Sequence, residues 1–149
     1  MGTHGPRRMA REAALQVLFA ADLSSPALDA ESVRGAFDTV SAEFDLPARA
    51  RERALEICLG VVHHRKDIDV AIARASEHWK VERLAAVDRN VLRIAAFELL
   101  FEPDTPAEVV IDEAVEVARR FASEKSPAFV NGVLDVVARY ARAQRGASE

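Results

Sequence analysis

The stretch VLRIAAFELLF, residues 91–101, decides the fold class of this chain. Its apolar side chains occur on nearly all sides of a helix, as is typical of a helix surrounded by other helices. Arg93 and Glu98 interrupt the stretch, which is much shorter than the roughly 20 apolar residues that span a bilayer. It therefore predicts the central helix of a globular core and no membrane segment.

Helix-start signals flank this stretch on both sides. Asp88 precedes it and is its predicted N-cap. The run Thr105-Pro106-Ala107-Glu108 follows it and is a predicted capping box, in which the threonine caps the Glu108 donor and proline is the first helical residue. We therefore expect the next helix over residues 109–121.

The segment FASEKSPAFVNGVLD, residues 121–135, joins that helix to the last one. Ser126-Pro127 is the predicted N-cap and first helical residue. The pair Asn131-Gly132 is unusual inside an apolar helix, because glycine costs about 1 kcal/mol there relative to alanine. We predict that the pair packs closely against another helix, and that the start of the segment, residues 125–129, is exposed.

Four more helices are predicted upstream from apolar residues spaced three and four apart, over residues 7–23, 29–44, 47–62 and 68–78. No alternating pattern long enough for a strand occurs. A linker near residues 63–66 divides the chain into subdomains 1–65 and 66–149, which form one compact unit. The predicted fold is all-α, a seven-helix bundle made of two packed helical subdomains.

Charge is unevenly distributed along the chain. The net charge is −4, but residues 1–11 hold Arg7, Arg8 and Arg11 without any acid, leaving 17 of the 20 basic residues and all 24 acidic ones elsewhere. Arginines are unfavourable at a helix N-terminus, where the macrodipole favours acids. A basic arm on an acidic body predicts a local anionic target, with a solvated helix start as the alternative. We expect the first turns to overhang the bundle, because arginine is not buried unpaired.

Residues suited to catalysis do not form a recognisable set. Cys58 lies in an apolar helix and is predicted to be a buried, inert thiol. His63 and His64 are adjacent, so they point about 100° apart and cannot share a metal ion as an i, i+4 pair would. No phosphate-binding glycine loop occurs. We predict no enzyme, no cofactor and no metal site. A single cysteine and the lack of a signal peptide predict a cytoplasmic protein.

Single-stranded nucleic acid is the anionic target that needs the fewest further features. Arginines neutralise phosphates, and an exposed aromatic ring stacks on bases. Phe129 is the candidate ring, with Lys125 and the pair Arg119-Arg120 near it in sequence. Packing of Phe129 in the core is the alternative and stays open here.

Four blocks of sequence together resemble the NusB family of transcription antitermination factors: RRMAREAALQVLF, VDRNVLRIAAFELL, TPAEVVIDEAVEVARRF and SPAFVNGVLD. The resemblance covers nearly the whole chain and implies seven helices in two subdomains. It also implies a non-catalytic protein that binds boxA leader RNA together with the ribosomal protein NusE. The heterodimer would help RNA polymerase to read through terminators.

The resemblance also implies roles for individual residues. The RNA-binding residues would be Arg7, Arg8, Arg11, Lys125 and Phe129, and the NusE-binding residues Phe19 and Asp88. Two positions depart from the family pattern. Met9 interrupts an arginine run, which weakens phosphate contact, and Lys125 replaces an acid, which removes a repulsion.

Three other interpretations remain. The chain could be an RNA-recognition module related to ribosomal RNA cytosine methyltransferases, although it has neither their α/β domain nor their cysteine pair. It could be a helical protein–protein adaptor without RNA affinity, whose binding would depend little on salt. The sequence leaves the oligomeric state open, with a homodimer that hides the arginine surface as one alternative.

Overall fold

The computed structural model describes residues 5–25, 27–77 and 80–148, and the side chains of these residues up to 146. This part of the chain forms seven α-helices and one short 3-10 helix and contains no strand, so the predicted all-α fold is confirmed. None of its helices is long and apolar enough to cross a membrane. The chain divides into two compact units, Met1–His63 and His64–Glu149.

Unit 1 contains three helices, α1 (Pro6–Ser24), α2 (Ala30–Glu43) and α3 (Ala48–His63), each of which packs against the other two. Asp29 caps α2, because its Oδ1 accepts a hydrogen bond from the Ser32 backbone N–H at 2.8 Å. The same bond holds the pKa of the Asp29 carboxyl below its ordinary value. This cap stabilises α2 above the ordinary pKa of aspartate and is lost as the pH falls through the lowered value.

Small residues allow α1 and α3 to approach closely in unit 1. The buried cluster at this contact consists of Ala10, Ala13, Leu46, Ala50 and Ala54. Met9 and Phe37 are half-buried and pack against it. Met9, which follows Arg7 and Arg8, therefore contributes its thioether to the core of unit 1.

Unit 2 is built around its second α-helix. It contains α4 (Arg65–Ala75), the 3-10 helix Val81–Arg83, α5 (Ala86–Phe101), α6 (Ala107–Phe121) and α7 (Ser126–Ser148). Helix α5 packs against α4, α6 and α7, and each of its residues from 90 to 99 is buried. The prediction of a central helix over residues 91–101 is therefore confirmed.

A buried arginine joins α5 to α4. Arg93 donates two hydrogen bonds to the Asp69 carboxylate, from Nε to Oδ1 at 2.9 Å and from Nη2 to Oδ2 at 3.0 Å. Its Nη1 lies 3.4 Å from Asn90 Oδ1, and the Asn90 amide donates to the Ala86 carbonyl at 2.9 Å. The arginine that breaks the apolar run of α5 is thus paired inside unit 2.

Two predicted helix caps are wrong. Helix α5 begins at Ala86 after the N-cap Ala85, so Asp88 is its third residue. Helix α6 begins at Ala107 after the N-cap Pro106, whose carbonyl accepts from the N–H groups of residues 109 and 110. Thr105 therefore lies one residue too early to cap α6, and its own N–H donates to the Glu102 carbonyl.

The predicted linker over residues 63–66 is also wrong. Helix α3 continues to His63 and α4 begins at Arg65, so His64 is the one residue between them. The His64 ring stacks on Phe101, with 3.7 Å between ring centroids and 13° between planes. Helix α4 ends at Ala75, and its predicted end at residue 78 lies outside the described residues.

The predicted burial of Asn131-Gly132 is wrong as well. Helix α7 begins at Ser126, one residue earlier than predicted, and buries Val130, Val133 and Leu134. The helical period then turns residues 131 and 132 to solvent, and both are exposed. A Cβ atom built on Gly132 has no atom within 4 Å, so no close packing explains the glycine.

We predict that Gly132→Ala stabilises the protein. Alanine fits the open space and has a higher helix propensity, so the free energy of unfolding should rise by about 0.5–1 kcal/mol. Urea denaturation followed by circular dichroism measures this change. Ala143→Gly, at an exposed position of the same helix, is the control and should lower stability. A loss of stability in Gly132→Ala would contradict the prediction.

Candidate nucleic-acid interface

The first turn of α1 is electropositive. Helix α1 starts at Pro6, its N-cap Gly5 offers no side-chain acceptor, and its first turn holds no acid. Arg7 is exposed and Arg8 is half-buried. Their charges add to the positive end of the helix dipole and to backbone N–H groups that lack helical acceptors. This arrangement suits an anion such as a phosphate.

Arg11 does not overhang unit 1 as predicted. Only 8% of its surface is exposed, and it has an interaction partner. It lies one turn before the buried residues Ala14 and Leu15, and burial of α1 extends toward the N-terminus to Ala10. Because the packing extends further toward the N-terminus than expected, Arg11 is enclosed. The exposed arginine of the arm is Arg7.

The packing of Met9 explains its departure from the arginine run. Its side chain covers the alanine cluster between α1 and α3, where a guanidinium would lose its hydration. A methionine here therefore contributes to packing, and the phosphate-binding capacity of the arm rests on its neighbours.

A tight turn before α7 presents Lys125. Ser126 is buried, its N–H donates to the Ser123 carbonyl at 3.0 Å, and the two hydroxyl oxygens are also 3.0 Å apart. Lys125 is exposed, and its carbonyl accepts from the Phe129 N–H at 3.3 Å. The structure thus places Lys125 and Phe129 one helical turn apart.

Phe129 is half-buried, so it is neither fully exposed nor fully packed in the core. Its neighbour Val130 is fully buried, so the ring lies at the edge of the unit 2 core. The exposed part of such a ring can stack on a base while the rest packs against protein. We call residues 125–132, with Lys125, Phe129 and the exposed Asn131, the α7 edge.

The two arginines before this turn are engaged within α6. Arg119 forms an ion pair with Glu116, one turn earlier. The Arg120 guanidinium lies over the Phe121 ring, 5.2 Å from its centroid. Both side chains are exposed, and these contacts hold them along the helix surface.

Asp88 is the more informative of the two predicted partner-binding residues. It is half-buried in the first turn of α5, and its Oδ1 is buried with no hydrogen-bond donor among the described residues. A buried oxygen without a donor is unfavourable by about 1–3 kcal/mol. The neighbouring Arg89 donates to the Leu84 carbonyl at 2.8 Å. Phe19 is half-buried on α1.

The predicted site residues fall in both units. Arg7, Arg8, Arg11 and Phe19 belong to unit 1, and Asp88, Lys125 and Phe129 to unit 2. Sequence reasoning missed the exposed amide of Asn131, which can donate and accept hydrogen bonds at a base edge. Counting 3.6 residues per turn from the apolar Val130 would have predicted that Asn131 faces solvent.

Cys58 is buried, as predicted. Its thiol lies 3.7 Å from the Ala14 carbonyl, and burial raises its pKa far above the ordinary range. A thiol with so little thiolate is a poor nucleophile. In the described part of the chain, no three His, Cys, Asp or Glu side chains gather as metal ligands would.

Comparison with known proteins gives a family match that includes nearly all of the predicted site residues. The family model described as NusB family matches residues 8–139. This chain belongs to the NusB family. The match contains every predicted site residue except Arg7, which lies one position before it.

Curated NusB proteins are similar over most of the chain. The transcription antitermination protein NusB of Geobacter sulfurreducens is 43% identical over 141 residues, covering 90% of this chain and 94% of the relative. That of Sorangium cellulosum is 45% identical over 134 residues, covering 90% and 92%. The similarity therefore extends over both units.

Solved NusB structures share the fold. T. maritima NusB is 38% identical, with a TM-score of 0.76 over 92% of this chain and 93% of that one. A second chain, from a crystal structure of antitermination factors NusB and NusE in complex with double-stranded RNA, is 31% identical. Its TM-score is 0.78 over 91% of this chain and 97% of its own.

Proposed function

We propose that this chain is a transcription antitermination factor that binds boxA-like single-stranded RNA together with the ribosomal protein NusE. In this role it acts without catalysis, as part of an RNA polymerase antitermination complex. Its membership of the NusB family carries the proposal, and a solved relative of 31% identity comes from a complex of NusB and NusE with double-stranded RNA.

The basic arm of α1 would contact the RNA backbone. Arg7 and Arg8 lie in the first turn of α1, which itself contains no acidic residue. Each phosphate they neutralise releases condensed counterions, which makes affinity fall as salt rises. This part of the interface supplies attraction that does not depend on the base sequence.

The α7 edge would contact the bases. Lys125 is exposed where the family pattern has an acid, so it attracts phosphate, and Phe129 offers a partly exposed ring one turn later. A base stacked on an aromatic ring gains about 1–3 kcal/mol. The Asn131 amide, on the exposed face of the next turn, can hydrogen-bond to a base edge.

NusE would contact Phe19 and Asp88. Asp88 is half-buried in the first turn of α5, and a carboxylate there can accept hydrogen bonds from a partner protein. Phe19 has part of its ring exposed for apolar contact.

The affinity for a boxA oligonucleotide, measured with and without NusE by fluorescence anisotropy, tests the proposal. We expect NusE to tighten binding about tenfold or more, within the usual range of coupling between two sites. A scrambled single strand and a boxA duplex are the controls and should bind more weakly. Equal binding to the scrambled strand, or no gain from NusE, would overturn the proposal and favour an adaptor without RNA specificity.

A further inference from the structure

Helix α7 carries a line of side chains that runs from the α7 edge toward its C-terminus. Phe129, Gly132, Val136 and Tyr140 follow one another three and four residues apart, so they lie on one side of the helix. Phe129 is half-buried, and Val136 and Tyr140 are 37% and 40% exposed. The two aromatic residues are about 16 Å apart along the axis and differ by about 20° in direction. The helix thus presents two aromatic rings on the same side.

The second ring lies at a groove in unit 2. Helices α4, α5 and α7 form this groove, which has a volume of about 450 Å³ and is lined by Tyr140, Val136, Leu100 and Phe101 among others. Sites for small molecules have volumes in this range and mostly apolar walls. The Tyr140 hydroxyl forms no hydrogen bond within the described part of the chain, so it is available to a ligand. The groove therefore suits a planar, partly polar group such as a nucleobase.

Basic side chains accompany this ring. Arg74 lines the groove from α4, and Arg139 precedes Tyr140 on α7; both are exposed and form no ion pair with the residues that the structure describes. One exposed acid, Asp67, also lines the groove, but it lies about 10.5 Å before Arg74 along α4. Asp135 is exposed on α7 and points about 140° away from Tyr140. Two unpaired guanidinium groups suit the phosphates that adjoin a stacked base.

We propose that single-stranded RNA next to boxA continues along α7 and that the groove binds one of its nucleotides. The base stacks on Tyr140, and the adjoining phosphates contact Arg74 and Arg139. Between the two rings, a Cβ built on Gly132 has no atom within 4 Å, so the strand can approach the helix closely. This inference rests on the proposed function, in which Phe129 is the first stacking position. A stacked strand rises about 3.4 Å per nucleotide, which places the two stacked bases about five nucleotides apart.

The surroundings of the groove favour RNA over a protein segment. The groove lies on the side of α7 that also carries Phe129, so one strand can reach both rings without crossing the buried side of the helix. A partner helix in the groove would have to supply acids for two arginines, because a buried unpaired charge is unfavourable. An aromatic ring beside arginines instead binds single strands with little dependence on sequence.

The affinity of the chain in complex with NusE for RNAs of different length tests the inference. The RNAs are a boxA oligonucleotide and the same oligonucleotide with about eight uridines added at its 5′ or its 3′ end, enough to pass Tyr140 at about 3.4 Å per nucleotide. We expect one of the two extensions to tighten binding about fivefold to a hundredfold, the range for one stacked base, in anisotropy titrations.

Variants assign this gain to the groove. Tyr140→Ala should remove the gain and leave the affinity for the unextended RNA unchanged, whereas Tyr140→Phe keeps the ring and should retain it. Arg139→Ala, at an exposed position, should lower the salt slope for the extended RNA alone by roughly 0.7 for each phosphate no longer neutralised. Arg34→Ala, exposed on α2, is the matched control and should change neither affinity.

Photo-cross-linking locates the bound base. A 4-thiouridine about five positions beyond the nucleotide that cross-links to Phe129 should cross-link to Tyr140. Equal affinity for the extended and unextended RNAs would overturn the inference and leave the groove to another ligand, such as a protein segment. A gain that persists in both Tyr140→Ala and Arg139→Ala would overturn it as well. Failure of the proposed function is a different result, in which the unextended boxA RNA binds no better than a scrambled strand.

Discussion

Asp69→Ala should lower the free energy of unfolding by about 3 kcal/mol, because it removes the carboxylate that accepts two hydrogen bonds from the buried Arg93 guanidinium. The two hydrogen bonds between these side chains connect α4 to the central helix α5. Asn90 lies 3.4 Å from a different guanidinium nitrogen and cannot replace a negative charge. Urea denaturation followed by circular dichroism measures the decrease in stability.

Arg93→Met should cost clearly less than Asp69→Ala. The side chain of Asp69 is 25% exposed and can regain water when its partner is removed, while methionine fills much of the arginine volume. Glu56→Ala breaks the exposed Arg53–Glu56 pair, with Glu56 66% exposed, and serves as the control with a destabilisation below about 1 kcal/mol. Equal destabilisation by the two substitutions in the buried pair would contradict this account.

Arg7→Ala with Arg8→Ala should weaken RNA binding in a salt-dependent way. We expect the slope of log affinity against log salt to fall by roughly 0.7 for each phosphate of single-stranded RNA that the variant no longer neutralises. Phe129→Ala should instead reduce affinity about fivefold to a hundredfold with the slope unchanged, because stacking releases no counterions. Anisotropy titrations at several salt concentrations measure both quantities.

Three control variants separate binding from folding. Phe129→Leu keeps an apolar side chain at the core edge but removes the aromatic ring, so it should fold normally and still bind weakly. Arg11→Ala should mainly lower stability, since that side chain is buried. Arg49→Ala, exposed on α3, should leave binding nearly unchanged. Normal RNA affinity in Phe129→Leu would assign the ring to packing alone.

The helices could be predicted from sequence because apolar spacing is repeated along each one. Their starts were harder to predict. Asp88 and Thr105 have good capping side chains, yet the helices begin after Ala85 and Pro106. Backbone conformation fixed by the surrounding chain decides a helix start, and a preference of about 1 kcal/mol for a capping side chain does not outweigh it.

For the candidate site, the sequence indicated which contacts each residue type can make, but not how exposed each residue is. The residue types at positions 7, 8, 125 and 129 indicated phosphate contact and stacking, which depend on local chemistry. The burial of Arg11 and the exposure of Asn131-Gly132 depend on which face of a helix its neighbours cover. Tertiary packing decides which face is covered, and the sequence of one helix alone does not show it.

The one-residue junction at His64 should limit insertions and deletions between α3 and α4. The His64 carbonyl accepts from the Ile68 N–H at 3.0 Å while its ring stacks on Phe101, so the residue is held from two sides. One inserted residue would rotate the chain by about 100°, and the His64 ring would no longer stack on Phe101. Insertions and deletions fixed during evolution should therefore lie in the loops at residues 44–47, 102–106 and 122–125, and the α3–α4 junction should keep its length.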